Sequence, residues 1–294
     1  MRLSLLLYPI LVCLLVLLSL PANVVAQSET PQAQPSTIFI PLITRTVTYP
    51  PLSSNWLERV NAYRARAGVP PVTESSELNS NCWEHARYMA ENNQITHNQD
   101  PNKPFASPTG QICAQKGNAW IGWGNSWQPA DAIDSWMQSI GHRIWLLYPT
   151  TPTFGFGFYT TATAKCRVNN VNWHCNGTAL DVLSHFNYSA DADYPGWPVR
   201  YPGIDQTNVP ATQYPITLQW RYFGSTPVIS STDLRVVGGN AIPHTSTTNL
   251  PVGHKGIAVT PTVNLPANSL IEVSISGSYD GQPFTYTWQF RTGN

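Results

Sequence analysis

Helical periodicity in this chain is confined to one stretch, and the apolar residues that follow it alternate. Leu57, Val60, Tyr63 and Arg64 recur on one face from Asn55 onward, with Ser53 or Ser54 as the cap and Gly68 and Pro70 as the stop. Leu78, Cys82, His85, Ala86, Met89 and Ala90 fall at three- and four-residue spacing and predict a second helix over 76–93. A third is predicted over 129–139, with Pro129 in its first turn and Asp131 early, where the helix dipole favours an acid. After Pro149 the period drops to two: Phe154, Phe156 and Phe158 alternate with Gly155 and Gly157, as on a strand with one bulky face. Segments 165–168 and 171–175, joined by Asn169-Asn170, read as a hairpin. Helices first and strands later predict an α+β domain.

Proline density rises sharply over 194–202 (YPGWPVRYP), and no helical period returns beyond it. Strands are predicted over 216–222, 233–237, 256–260, 269–277 and 285–291, separated by turn clusters such as Gly238-Gly239-Asn240 and Asp280-Gly281. Several short strands without a helix read as an all-β sandwich. A boundary near Tyr194 then divides the chain into 52–193 and 194–294, expected to fold independently because proline-dense linkers interrupt helix and strand alike.

The N-terminus carries Arg2, an uncharged apolar run over 3–20, and a small-residue exit at Val24-Val25-Ala26. That order predicts a secretory signal peptide over 1–26, and the polar segment 27–51, with its one apolar run IFIPLI, a disordered spacer. Cleavage removes Cys13 and leaves Cys82, Cys113, Cys166 and Cys175, an even set that predicts disulfides in an exported chain. Of the three pairings, Cys82 with Cys113 and Cys166 with Cys175 is favoured, because each closes a loop that a neighbouring helix or hairpin supports, contributing about 2.5–4 kcal/mol. Net charge is zero and charged residues are 11%, which argues against a nucleic-acid partner needing a basic stripe. There is no polybasic membrane patch, and no transmembrane segment is expected after signal cleavage.

Three segments stand out: WLERVNAYRARAGVPPV, then HARYMAENNQITH ending at His97, then AIDSWMQSIGHRIWLLYPTTPTFGFGF, which contains His142. Together they resemble the CAP superfamily of cysteine-rich secretory, antigen 5 and pathogenesis-related proteins, in its bacterial SCP-like form. The resemblance covers about Asn55 to Tyr188 and implies an α-β-α sandwich for this region. Many members of that family have a cleft with two His and two Glu that can bind a divalent metal. His97 and His142 match the histidines; Gly124, within Trp123-Gly124-Asn125, and Ser139 stand where the glutamates are expected. The implied cleft is therefore His97, His142, Asn125 and Ser139, with His97 and His142 as the metal pair. Two imidazoles without a carboxylate hold Zn²⁺ or another divalent cation only weakly, and a general base for hydrolysis is missing too. No cofactor is thus required, and the other reading is two histidines hydrogen-bonded in a polar cleft. Asp100 and Asp134 are the nearest acids in sequence, and His85 is expected in the core.

The segments GIAVTPTVNLPANSLIEVSISG and FTYTWQFRTG resemble the closing strands of bacterial Ig-like domains of the surface-layer type, which implies a spacer or adhesion role for the second domain. Trp120, Trp123, Trp127, Trp136 and Trp145 suit either a core or a stacking surface, with Gly122 and Gly124 making their segment a loop. No Gly-x-Ser-x-Gly or His-Glu-x-x-His string is present. The expectation is a secreted, non-catalytic binding protein for a small apolar or polar ligand or a cell-surface component. An extracellular hydrolase and a purely structural surface protein are the alternatives.

Overall fold

The computed structural model describes residues 48–294; the expected signal peptide, Cys13 and the spacer up to residue 47 lie outside them. Helix α1 is Trp56–Arg66, capped by the Asn55 side chain, which accepts from the Leu57 and Glu58 amides. The expected cap, Ser53, instead accepts from the Asn55 amide one step earlier. A two-residue strand β1, Thr73–Glu74, leads into α2, Ser76–Asn92, which starts at a Ser75 cap and ends where Asn93 turns left-handed at φ 48°. Asparagine tolerates that conformation better than most side chains. Then come α3, Pro108–Ala114, and strand β2, Gly117–Trp123. Helix α4, Pro129–Gln138, breaks at Ser139, which is extended at ψ 124°, and α5, Ile140–Leu146, follows at once.

Strands β3, Thr153–Thr160, and β6, Cys175–Asp181, complete a sheet of order β1-β3-β6-β2, in which only the β1–β3 pair is parallel. The Phe-Gly alternation of β3 explains how helices cover both faces. On the glycine face α2 lies against the backbone: a Cβ on Gly157 would fall 2.1 Å from the Cys82 carbonyl carbon. On the opposite face Phe156 stacks on Trp56 of α1 at 4.9 Å, and Phe154 is fully buried. The Trp136 indole of α4 donates to the Ala119 carbonyl on β2. The result is an α-β-α arrangement. The excursion β4, Cys166–Val168, and β5, Val171–Trp173, turns through Asn169 and Asn170 at φ 49° and 65°. Two consecutive left-handed residues are what a tight two-residue hairpin needs. Disulfides join Cys82 to Cys113 and Cys166 to Cys175, the favoured pairing.

Beyond residue 194 the chain is all β. Strands β7 (Val199–Tyr201), β8 (Ile216–Gln219), β10 (His244–Thr247) and β11 (Gly256–Pro261) form one sheet, in the order β10-β11-β8-β7. Strands β9 (Val228–Val236), β12 (Leu270–Tyr279) and β13 (Gln282–Arg291) form the other, in the order β13-β12-β9. All these pairings are antiparallel, and the β12–β13 turn uses Asp280 and Gly281 at φ 50° and 75°. Short β7 and β10 escape sequence reading because three or four residues carry no measurable alternation.

One apolar core runs through both regions. Trp136, Met137 and Leu146 belong to the same buried cluster as Tyr214, Ile216 and Ile257. The polar contacts cross as well. Arg143 on α5 donates to the Pro215 carbonyl, Gln219 on β8 donates to the Ile144 carbonyl, and the Tyr214 hydroxyl donates to the Met137 carbonyl. A sandwich released by cutting near Tyr194 would therefore expose apolar surface and lose hydrogen-bond partners, a cost that the expectation of independent folding leaves out.

Candidate functional site

His97 is held by the loop that leaves α2, and the loop is held by side-chain amides. Gln99, almost fully buried, accepts from the Ser107 amide, and its Nε2 lies 3.2 Å from His85 Nδ1. His85 Nε2 in turn lies 3.0 Å from the Thr96 carbonyl oxygen, so both nitrogens of this ring are engaged. Gln111 on α3 accepts from the Gln99 amide and donates to Asn98. His85 is thus a buried positioning residue, in keeping with its helical spacing. Burial pushes its pKa down to about 4, and the charge of His97 acts in the same direction.

The second histidine stands on α5. His142 Nδ1 lies 3.0 Å from Ser139 Oγ, and Asn118 on β2 donates to the His142 carbonyl. His97 Nδ1 lies 3.2 Å from the Ala114 carbonyl oxygen, which puts that ring's proton on Nδ1 and leaves Nε2 free to accept. Burial lowers the pKa of His142, and the charge of His97 lowers it further. Each ring is oriented through Nδ1, and neither Nε2 has a hydrogen-bond partner among the described residues.

The positions expected to carry acids do something else. Gly124 adopts φ +147°, and a Cβ there would fall 2.9 Å from Trp127 Nε1. The Trp127 indole is itself held by donating to the Trp123 carbonyl and packs edge-on to Trp120 at 4.7 Å. A glutamate at this position would meet both backbone strain and an indole. Ser139 is engaged with His142, and Asn125 is exposed in the turn after β2. The nearest acids are also occupied. Asp134 pairs with Arg59 and accepts from the Tyr63 hydroxyl, while Asp100 accepts from the Asn102 amide within its own loop. Among the described residues no group of three or more His, Cys, Asp and Glu could hold a metal ion. The donor set therefore does not fit a four-coordinate divalent site.

The tryptophan-rich segment divides between the two roles considered for it. Trp136 is buried, Trp120 and Trp145 pack against the core, and Trp123 and Trp127 are exposed. The segment around Gly122 is strand β2, paired with β6 along its whole length, rather than a loop. Its glycines and indoles hide an alternation that the sheet makes plain. Gln99, Gln111 and Asn118 had no sequence signal, since isolated amides mark neither a period nor a motif.

Residues 57–176 match the family described as CAP, the cysteine-rich secretory protein family. A solved crystal structure of an extracellular protein containing a SCP domain, from Bacillus anthracis, is similar to this chain at 17% identity with a TM-score of 0.28. That similarity covers 42% of this chain and 38% of the other. No curated protein matches. Among the described residues no helix is long and apolar enough to cross a membrane.

Proposed function

We propose that this chain, with its CAP-family region over residues 57–176, is a secreted, non-catalytic binding protein whose ligand meets the free Nε2 atoms of His97 and His142. The observation that carries the reading is the pairing of two oriented imidazoles with two acid positions filled by Gly124 and Ser139. Neutral imidazoles accept hydrogen bonds or share a cation, but without a carboxylate they supply neither a full metal shell nor a base of carboxylate strength. The two disulfides support an oxidising, extracellular location. The Ig-like reading of the sandwich, as a spacer or an adhesive module, rests on its two antiparallel sheets and on the strand resemblance. Calorimetric titration with Zn²⁺ tests the pair. Expected is weak binding that is lost in His97→Ala or His142→Ala and fades on acidification as the imidazoles take up protons. Tight, chelator-resistant binding, or binding indifferent to either substitution, would place the site elsewhere.

One contact favours the hydrolase alternative: Ser139 Oγ sits within hydrogen-bond reach of His142 Nδ1. A nucleophile activated this way also needs the base to be oriented by a third group, and among the described residues no carboxylate is hydrogen-bonded to His142. Ser139 directly precedes α5, so its contact with the third residue on is an ordinary helix-end interaction. Treatment with an aryl fluorophosphonate should leave Ser139 unlabelled by mass spectrometry. Stoichiometric labelling that disappears in His142→Ala would establish the hydrolase instead.

A further inference from the structure

Where the end of α1 meets the loops flanking β7, two cavities of about 480 and 420 Å³ share one residue, Arg66. Neither includes His97 or His142. The first is lined by Tyr63, Asp134, Gln138, Thr207 and Asn208 among others, the second by Tyr49 and Arg200. The Arg66 guanidinium lies 5.7 Å from the Tyr49 ring centre and 5.9 Å from that of Tyr63, and its Nη1 donates to the Ala62 carbonyl. Two aromatic contacts and one hydrogen bond fix the plane of the fork, while Nε and Nη2 have no acceptor among the described residues.

No salt bridge among the described residues involves Arg66 or Arg200. Asp134 is neutralised by Arg59, and Asp205, near Tyr49, pairs with neither arginine. In a chain whose net charge is zero, this is a local excess of positive charge in a concave place. The remaining polar lining is of a different kind. The Gln138 and Asn208 amides and the Thr207 hydroxyl have no side-chain hydrogen bond to described residues and face the cavity. A planar guanidinium edge matches a carboxylate or a phosphate, and amides matched with a hydroxyl suit neighbouring alcohol groups, which both donate and accept. Two acids close by, Asp134 and Asp205, favour a monoanion over a dianion.

We infer that this junction binds the carboxylated sugar of an acidic polysaccharide, with the carboxylate on Arg66, ring hydroxyls on Gln138, Thr207 and Asn208, and a further carboxylate along the chain on Arg200. The cavity volumes fall in the range of small-ligand sites.

Calorimetry of the full chain with oligogalacturonate, and with polyglutamate, dextran and inorganic phosphate as comparators, tests it. The expected result is binding of oligogalacturonate alone, weakened by salt. Arg66→Gln should reduce affinity by about tenfold or more, and Arg66→Lys should not restore it, since an ammonium lacks the fork. Circular dichroism monitors the fold of these variants. Gln138→Ala, on an exposed side chain, should weaken binding severalfold and serves if Arg66→Gln fails to fold. His97→Ala should leave this binding unchanged. No binding of oligogalacturonate, equal binding of polyglutamate or phosphate, or full binding by Gln138→Ala with Arg66→Gln unaffected or unfolded would overturn the inference.

Discussion

Replacing Arg143 with alanine lowers the stability of the folded chain by about 3–5 kcal/mol, among the largest single-residue effects expected here. Arg143 is fully buried and has no acidic partner among the described residues. Its charge is met instead by carbonyl dipoles. Nε donates to the Met137 carbonyl near the end of α4, where the helix dipole favours a cation, and Nη1 donates to Pro215 just before β8. The guanidinium also lies 4.6 Å from the Tyr214 ring centre and 5.0 Å from that of Tyr201. Alanine would leave the buried Pro215 carbonyl without its donor and the Met137 carbonyl with the Tyr214 hydroxyl alone, together with a cavity the size of a long side chain and two rings without their cation. Lysine would keep the charge but could not reach both carbonyls with a rigid fork, so it should recover less than half of the loss. For a chain of this length the alanine variant should melt roughly 6–20 °C lower. Urea unfolding decides the matter, and a loss below about 1 kcal/mol would mean that Arg143 is not what joins α5 to the sandwich.

That joint is also where sequence reading stopped. Helices α1, α2 and α4 were legible to within one or two residues because each buries a regular face, and the β3 strand because glycine and phenylalanine alternate without a break. The two asparagine and aspartate-glycine turns were legible from backbone chemistry alone, as were the disulfides from loop closure. Helix α3 was not, being seven residues long with no repeating face. The end of α4 at Ser139 was legible too, whereas α5, seven residues long, carries no period of its own. The shared core was invisible for another reason. A proline-dense segment predicts an interruption of regular structure, and it does interrupt it, but it carries no information about whether the surfaces on either side pack together. Tyr214, Ile216 and Gln219 look like ordinary strand residues until α4 and α5 are seen beside them.

The candidate site shows the same division. His97 and His142 could be picked out by resemblance, and the absent glutamates by comparison with the same pattern. Why an acid is excluded at Gly124 depends on Trp127, which reaches back over the strand from three residues later. What orients His97 depends on Gln99 and Ala114, contacts set by the path of a loop. Such positions obey no period, so the chemistry of the residue type is legible and its surroundings are not.

Acidification is the second large effect, and it follows from histidines outside the cleft as well as near it. His254, just before β11, is 2% exposed, and neither ring nitrogen has a hydrogen-bond partner among the described residues. Its surroundings are aromatic: Trp145 of α5 at 4.1 Å, Tyr222 at 5.0 Å and Tyr148 at 6.4 Å. Of the polar groups there, the Tyr148 hydroxyl is already engaged, donating to Asp191 and accepting from the Tyr222 amide, and Lys255 adds only positive charge. Burial pushes the His254 pKa down to about 3, while His85 is held at about 4. Above pH 6.5 both rings are neutral in the folded and the unfolded chain, so their shifts cost nothing. Below it the unfolded chain takes up protons that the folded chain refuses, and stability is lost as pH falls from 6.5 toward 4, by about 1.4 kcal/mol per pH unit for each histidine. Between pH 6.5 and 4.5 the two together should remove about 5 kcal/mol. Urea midpoints measured at pH 7.5, 6.0, 5.0 and 4.5 should fall accordingly. His254→Phe, which completes the aromatic cluster without a titratable group, should remove about half of the slope. Because Trp145 lies on the same helix as His142, its fluorescence should report loosening of α5 from the 251–254 turn in the native protein before the global transition. An unchanged slope in His254→Phe would show that the imidazole is hydrated in solution and that this turn does not hold α5 in place.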